Sequence, residues 1–308
     1  MTIRRTSVCA FVATIMLFVA GGNFAAQAAD DSQRLDKGFT LWERYQGSSN
    51  SLGQVTKLDT TAGYKFNKHF ALEGGIPIYF VRASATSTTT SSNTQTGIGN
   101  AYIDLRMVAT GSAMSFVSTL TGTAPTGDTD SGLSTGRATV DWNNYFGYKL
   151  GRITPFADLG IANSISDTHF FTRPFTSLGK VGHFEAGSEF ELWRSLSAGT
   201  SYYVDSPFGQ QKVFSKVVKG QRSAVTTSNP GSGSTRGGRQ GIFETQSAAV
   251  GSADILGDNG FSFWIGAIPK PFLNLELGYS RSVEYAFNTV SFSVGFNLGY
   301  LTRRGERP

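Results

Sequence analysis

The chain has 308 residues, of which 39% are hydrophobic, 13% aromatic and 16% charged, with a formal net charge of +5 and a mean hydropathy of −0.15. Its 37 Gly and 9 Pro fall well short of the roughly 25–30% share that marks low-complexity disorder, so a folded chain is expected. The apolar runs of about 20 residues that a helical membrane bundle needs are missing, and so small a charge does not point to nucleic acid.

The first element in chain order is an export signal. Arg4 and Arg5 precede an apolar run from Cys9 to Ala20, and Ala26-Gln27-Ala28 supplies the small residues of a cleavage site. The run is too short to span a bilayer, so cleavage after Ala28 is expected, with 1–28 as signal peptide and 29–38 as a short periplasmic segment. Cleavage removes Cys9, the chain's only cysteine, and takes the net charge from +5 to +3. The mature chain then has no disulfide and no thiolate metal site, and nothing in it calls for a cofactor or metal.

From Phe39 onward, apolar and polar residues alternate with period 2. Leu58, Ala62 and Tyr64 oppose Lys57, Asp59 and Thr61; Ile103, Leu105 and Met107 oppose Asp104 and Arg106; Val290, Phe292, Val294 and Phe296 oppose Ser291 and Ser293. Strands are expected near 39–46, 53–66, 69–82, 98–110, 114–125, 137–150, 152–164, 181–192, 196–205, 260–269, 272–285 and 288–300. Connections alternate in length: one set is tight, as at Asn67-Lys68 or Lys270-Pro271, and the other is mostly long, at 83–97, 126–136, 165–180 and 206–259. A soluble sandwich has no reason to sort its loops this way, whereas a membrane barrel has short periplasmic turns and long external loops. In hydrocarbon a sheet must close on itself to pair every backbone group. The fold class is therefore all-β: a transmembrane antiparallel up-and-down β-barrel of about 12 strands over 39–300, with the external loop 206–259 and a tail at 301–308.

The inward positions of such strands form the candidate pore lining: Lys57, Asp59, Lys65, Glu73, Asp104, Arg106, Asp141, Lys149, Asp158, Glu185, Glu189, Glu191 and Glu276. Their acidic excess would favour cations in a wet lumen, unless neighbouring charges merely pair and fill the barrel. Phe66, Phe80, Tyr148 and Tyr300 are candidates for interfacial girdles. In 210–222, Val213, Phe214, Val217 and Val218 suit one face of a short helix, which reads as a gating segment, a basic surface for anionic headgroups or a solvated loop. Gly231 to Gly237 imitates a phosphate loop but lies in a Ser/Gly-rich stretch with no following helix, and reads as linker. His69, His169 and His183 are too scattered for a metal site.

Two stretches carry a resemblance. The segment ending Ser293-Val-Gly295-Phe-Asn-Leu298-Gly-Tyr300 resembles the C-terminal signal read by the barrel-assembly machinery, with Gly295, Leu298 and Tyr300 as its marked positions. The run 119–151, with Ala124-Pro125-Thr126-Gly127-Asp128 and then Thr135-Gly136, together with Gly97-Ile98-Gly99-Asn100 and Asp104-Leu105, resembles the outer-membrane barrel "transporter" family named for the MetA-pathway of phenol degradation. That resemblance implies a channel in the cell outer membrane, surrounded by lipid and lipopolysaccharide, passing small and often aromatic molecules without enzymatic chemistry. A second reading is a structural or adhesion barrel acting through its external loops. A barrel hydrolase, with His183 and Glu185 or Asp205 assisting a serine, is a third and lacks a nucleophile motif.

Overall fold

The computed structural model describes residues 37–51, 53–83, 94–216, 248–252 and 257–303; the expected signal peptide, most of 29–38, the Gly231–Gly237 stretch and the last five residues lie outside them. The strands are β1 (Gly38–Asn50), β2 (Gly53–Lys65), β3 (Phe70–Ala83), β4 (Thr94–Ile98), β5 (Tyr102–Thr110), β6 (Met114–Thr123) and β7 (Thr139–Tyr148). They continue with β8 (Ile153–Ala162), β9 (Phe175–Trp193), β10 (Leu196–Ser215), β11 (Ala248–Ser252), β12 (Asp258–Lys270), β13 (Leu273–Ser282) and β14 (Asn288–Asn297), followed by a one-turn helix α1 (Leu298–Arg303). β4 and β5 both pair with β3, and β11 and β12 both pair with β10, so each couple forms one stave. The result is twelve antiparallel staves. The ring closes because β1 pairs with β14 as well as with β2, and Thr40 faces Asn297 across the seam.

Parity decides what each residue touches. Outward positions carry Leu41, Ile76, Leu105, Leu120, Phe263 and Leu277, all exposed, whereas the intervening positions turn into the lumen. An apolar outer belt with every backbone group paired around a closed sheet is the arrangement a bilayer requires. Phe66, Phe80 and Tyr148 are outward and exposed near strand ends, as girdle residues should be.

Several local details differ from the sequence reading. The stave at 98–110 is broken: Ile98 faces Ile78 but Tyr102 faces Gly75, so residues 99–101 hold one extra residue and the inward parity switches from odd on β4 to even on β5. β10 does not stop at 205 but runs to Ser215, and β11 begins at Ala248, so the long loop is shorter than 206–259. The helical face at 210–222 is not formed where it is described: Gln210 to Ser215 are strand, reached through a bulge between Phe208 and Lys212 at which Gly209 takes a φ of 77°. β14 ends at Asn297, so Leu298 and Tyr300 lie on α1 rather than on the strand, while Gly295 stays inward with no room for a Cβ beside the Trp42 ring. The connection 165–180 is the largest departure, because its second half is the start of β9 and its first half enters the barrel.

The inserted loop and the lumen

Residues 163–174, between β8 and β9, turn inward from the loop end of the barrel and lie on the inner face of β10, β12, β13, β14 and β1. Those staves provide a seat of small inward residues, with Gly199 and Ser201, Ser262, Gly278 and Ser280, Ser291, Ser293 and Gly295. Large side chains there would occupy the volume the loop takes. Gly278 meets the loop directly: a Cβ on it would sit 2.5 Å from Ser291 Oγ and 2.7 Å from the Phe170 ring.

Four sets of polar contacts hold the loop. Gln46 of β1 donates through Nε2 to the carbonyl oxygens of Thr168 (3.0 Å) and His169, the Thr172 hydroxyl donates to Gln46 Oε1 (3.2 Å), and Ser280 Oγ donates to the Phe170 carbonyl (2.6 Å). Arg173 is 0% exposed; Nη1 meets Asp258 Oδ2 at 2.9 Å, Nη2 meets Asp205, and Nε donates to Ser166 O at 2.8 Å. Burial opposes its charge, but Asp205 and Asp258 raise the guanidinium further above its ordinary value. Asp167 accepts from the Tyr79 hydroxyl (2.6 Å) and the Arg173 amide (2.8 Å), and lies 3.2 Å from Lys216 Nζ and 3.6 Å from Lys57 Nζ. Burial would raise its carboxyl; the Lys216 and Lys57 ammoniums, helped by these hydrogen bonds, hold it down at about 2. His169, whose imidazole is lowered by burial against the pull of Glu276, donates from Nε2 to Glu276 Oε1 at 2.6 Å.

What the loop leaves is an off-centre cavity of about 450 Å³. It lies between the loop and the inner wall of β1 to β9. Of the residues expected to line a pore, Lys57, Asp59, Glu73, Asp104, Arg106, Asp141, Asp158 and Glu185 border it. Glu276 is inward but covered by the loop at His169, and Glu189 is inward and buried without bordering the cavity. Glu191 sits exposed at the turn end with Lys149, 3.4 Å away. Sequence reading misses Arg44, Tyr79, Tyr102, Asn143, Tyr145, Phe156 and Trp264, which also border the cavity at inward positions: it rests on charge in strands other than the first, and charge marks no aromatic or amide lining. It also misses the inserted loop itself.

The motif at 124–128 has a structural use. Thr126 Oγ1 donates to Gly99 O (2.9 Å) and accepts from the Ala101 amide (2.7 Å), while the Gly127 amide donates to Asn100 Oδ1 (3.3 Å). The loop thus fastens to the bulge at 99–101 and supplies hydrogen bonds that the broken ladder leaves open. A Cβ on Gly127 would lie 2.7 Å from Leu133 O and 2.9 Å from Ile98 O, which accounts for glycine there. Asp128 then accepts from the Asp130 amide (2.9 Å) and Ser131 Oγ; these bonds, led by Ser131, lower its carboxyl. Beyond it Leu133 is buried on Val55, Tyr79 and Val81 at the cavity wall.

No protein-family model matches the chain, and no curated protein does either. Among solved structures it is similar to an outer membrane channel from Pseudomonas putida F1, with 12% identity, 84% of this chain and 95% of that chain covered, and a TM-score of 0.54. The KdgM porin in complex with disordered oligogalacturonate (6% identity, 84% and 98% covered) and the Pseudomonas putida toluene transporter TodX (9%, 90% and 95%) reach TM-scores of only 0.46 and 0.42. At such identity the first likeness speaks for the fold, a transmembrane β-barrel; the other two are too distant to add to it.

Proposed function

We propose that the protein is an outer-membrane channel through which small solutes diffuse passively, with residues 163–174 as its built-in constriction. One observation carries this reading. A closed barrel with an apolar outer belt keeps, beside its inserted loop, a cavity of about 450 Å³ whose wall is charged and polar. A barrel serving only as a scaffold has no need to keep charged groups facing an unfilled interior, where each costs desolvation energy. The sequence features agree: the export signal, the sorting of loop lengths, the Gly295-to-Tyr300 assembly signal, which would engage the barrel-assembly machinery, and the resemblance at 119–151 to the phenol-degradation transporter family. The surroundings are then outer-membrane lipid and lipopolysaccharide.

Chemistry of the wall sets the selectivity. Seven carboxylates (Asp59, Glu73, Asp104, Asp141, Asp158, Asp167, Glu185) and four cations (Arg44, Lys57, Arg106, Lys216) border the cavity, so permeant cations are favoured over anions. Tyr102, Tyr145, Phe156, Phe170 and Trp264 add apolar surface that lets a solute carry an aromatic or apolar body. The test is planar-bilayer recording on refolded protein, with the reversal potential read in a KCl gradient. Discrete conductance with a cation-selective reversal potential is expected. A correctly refolded barrel that passes neither ions nor, in liposome swelling, small solutes would overturn the reading.

A further inference from the structure

The charges around the cavity are unevenly distributed. On β1 to β5, Arg44, Lys57 and Arg106 stand among Asp59, Glu73 and Asp104; Lys57 lies 3.7 Å and Arg44 3.6 Å from Asp59. At the loop, Lys216 answers Asp167. On β7 to β9 the balance fails. Asp141, Asp158 and Glu185 face the cavity there, and among the described residues of that wall the basic neighbour is His183, bonded to Asp141 at 2.9 Å. Asp158 and Glu185 are direct partners across the β8–β9 ladder, so two carboxylates sit side by side. Such an arrangement is unfavourable while both are ionised, and a cation beside them relieves it.

The same wall is aromatic. Tyr145 faces Asp158 across the β7–β8 ladder, and Phe156 is the next inward residue below Asp158. Phe156 stacks on Tyr145 with ring centroids 5.4 Å apart and approaches Trp264 at 6.0 Å, and Trp264 stacks on Phe170 of the inserted loop at 5.0 Å. The backbone is shaped for these rings: a Cβ on Gly187 would lie 2.7 Å from Phe156 Cζ. Tyr145 is only 7% exposed and borders the cavity.

We propose that this wall is a binding site for small organic cations with an aromatic or apolar body, the ammonium meeting Asp158 and Glu185 and the ring resting on Phe156 and Trp264. The inference rests on the channel reading and names its preferred solute. An ammonium relieves the unbalanced pair in a setting of low dielectric, and the aromatic faces attract it further. An anion of the same shape meets repulsion, and a neutral analogue gains only the apolar contact.

Three phenyl compounds of one shape separate these contributions: 2-phenylethylamine, 2-phenylethanol and 3-phenylpropionate, titrated calorimetrically into the refolded full chain in detergent at neutral pH. The amine is expected to bind about tenfold or more tighter than the other two, a difference of about 1.4 kcal/mol or more. Asp158→Asn with Glu185→Gln should abolish that preference and leave the alcohol unchanged, whereas Glu191→Gln at the turn end should bind as wild type. If the double variant does not refold, Glu185→Gln alone serves. Equal binding of alcohol and amine, tighter binding of the anion, or an amine preference that survives loss of these carboxylates overturns the site. Conductance measured on the same preparation keeps the two readings apart: a conducting protein without amine preference refutes the site alone, and a non-conducting protein that binds the amine refutes the channel alone.

Discussion

The Arg173 clamp gives the most direct test of how the inserted loop is held. Its guanidinium is fully buried between Asp205 and Asp258, donates to Ser166 O, and lies 5.2 Å from the centre of the Phe171 ring. Arg173→Met keeps the apolar stem but strips both carboxylates of their cation. Asp258 retains the Ser282 hydroxyl at 2.6 Å and the Tyr203 hydroxyl at 3.2 Å, which do not neutralise it. Removing one partner of a buried ion pair costs about 3–5 kcal/mol, and the loss here falls on the loop-bound state, because the two aspartates belong to the barrel and regain water when the loop lifts away. The ratio of seated to displaced loop should therefore fall by a factor of about 10² to 10³·⁵. In planar bilayers the variant should show a larger or flickering conductance while keeping the heat-modifiable mobility of a folded barrel. Adding Asp205→Asn and Asp258→Asn should restore much of the wild-type behaviour by removing the stranded charge. A singly substituted barrel with wild-type conductance and wild-type urea midpoint would refute this account of the loop.

Three further outcomes are expected. Asp167 has its carboxyl held at about 2 in the fold against about 3.9 in an unfolded chain, so its stabilisation is fully present above about pH 4 and lost as pH falls towards 2; the urea stability gap between wild type and Asp167→Asn should be flat from neutrality to about pH 4 and shrink below it. Thr126→Val removes one donor and one acceptor bond to the 99–101 bulge and should cost about 1–3 kcal/mol, with Gly127→Ala also destabilising through backbone overlap, both read as lower unfolding midpoints. Leu105→Arg on the outer belt should destabilise the barrel in lipid by about 2–4 kcal/mol, whereas Thr121→Arg, one strand over and turned inward, should change conductance instead.

Much of this architecture was legible in the sequence because a barrel writes itself in parity. Leu58, Leu105, Phe263 and Phe292 each appear at the expected phase of an alternating strand, and lipid outside enforces that phase on every stave. The inserted loop was not legible. Ser164 to Pro174 is a mixed polar and aromatic run that reads as an external connection, and nothing local distinguishes a loop that turns inward. Its signature lay elsewhere, in the small inward residues of β10 and β12 to β14, which make sense only as the imprint of something resting on them. The bulge at 99–101 escaped for a related reason: one inserted residue inverts the phase, and Gly97-Ile98-Gly99-Asn100 alternates well enough to pass as continuous strand. Val213 and Phe214 suggest a helix because two adjacent apolar residues suit either period, and only their neighbours, β9 extended to Phe175 on one side and β11 on the other, recruit them into a sheet. Glu189, Glu191 and Glu276 share the inward parity of true cavity residues, yet parity is blind to depth and to what covers a wall.

The seam between β1 and β14 has a consequence for how the molecule comes into being. Thr40 and Asn297 meet as ladder partners although nearly the whole barrel sequence separates them. Until the last strand has emerged and paired, the first carries along that edge a row of unsatisfied amides and carbonyls, open to any stray strand. Contacts so distant along the chain form slowly, since loop closure must be completed before they reward it. Every truncation that removes β14 therefore leaves the first strand exposed as well, and the time between the synthesis of the two is the interval in which the chain most needs to be shielded from its neighbours.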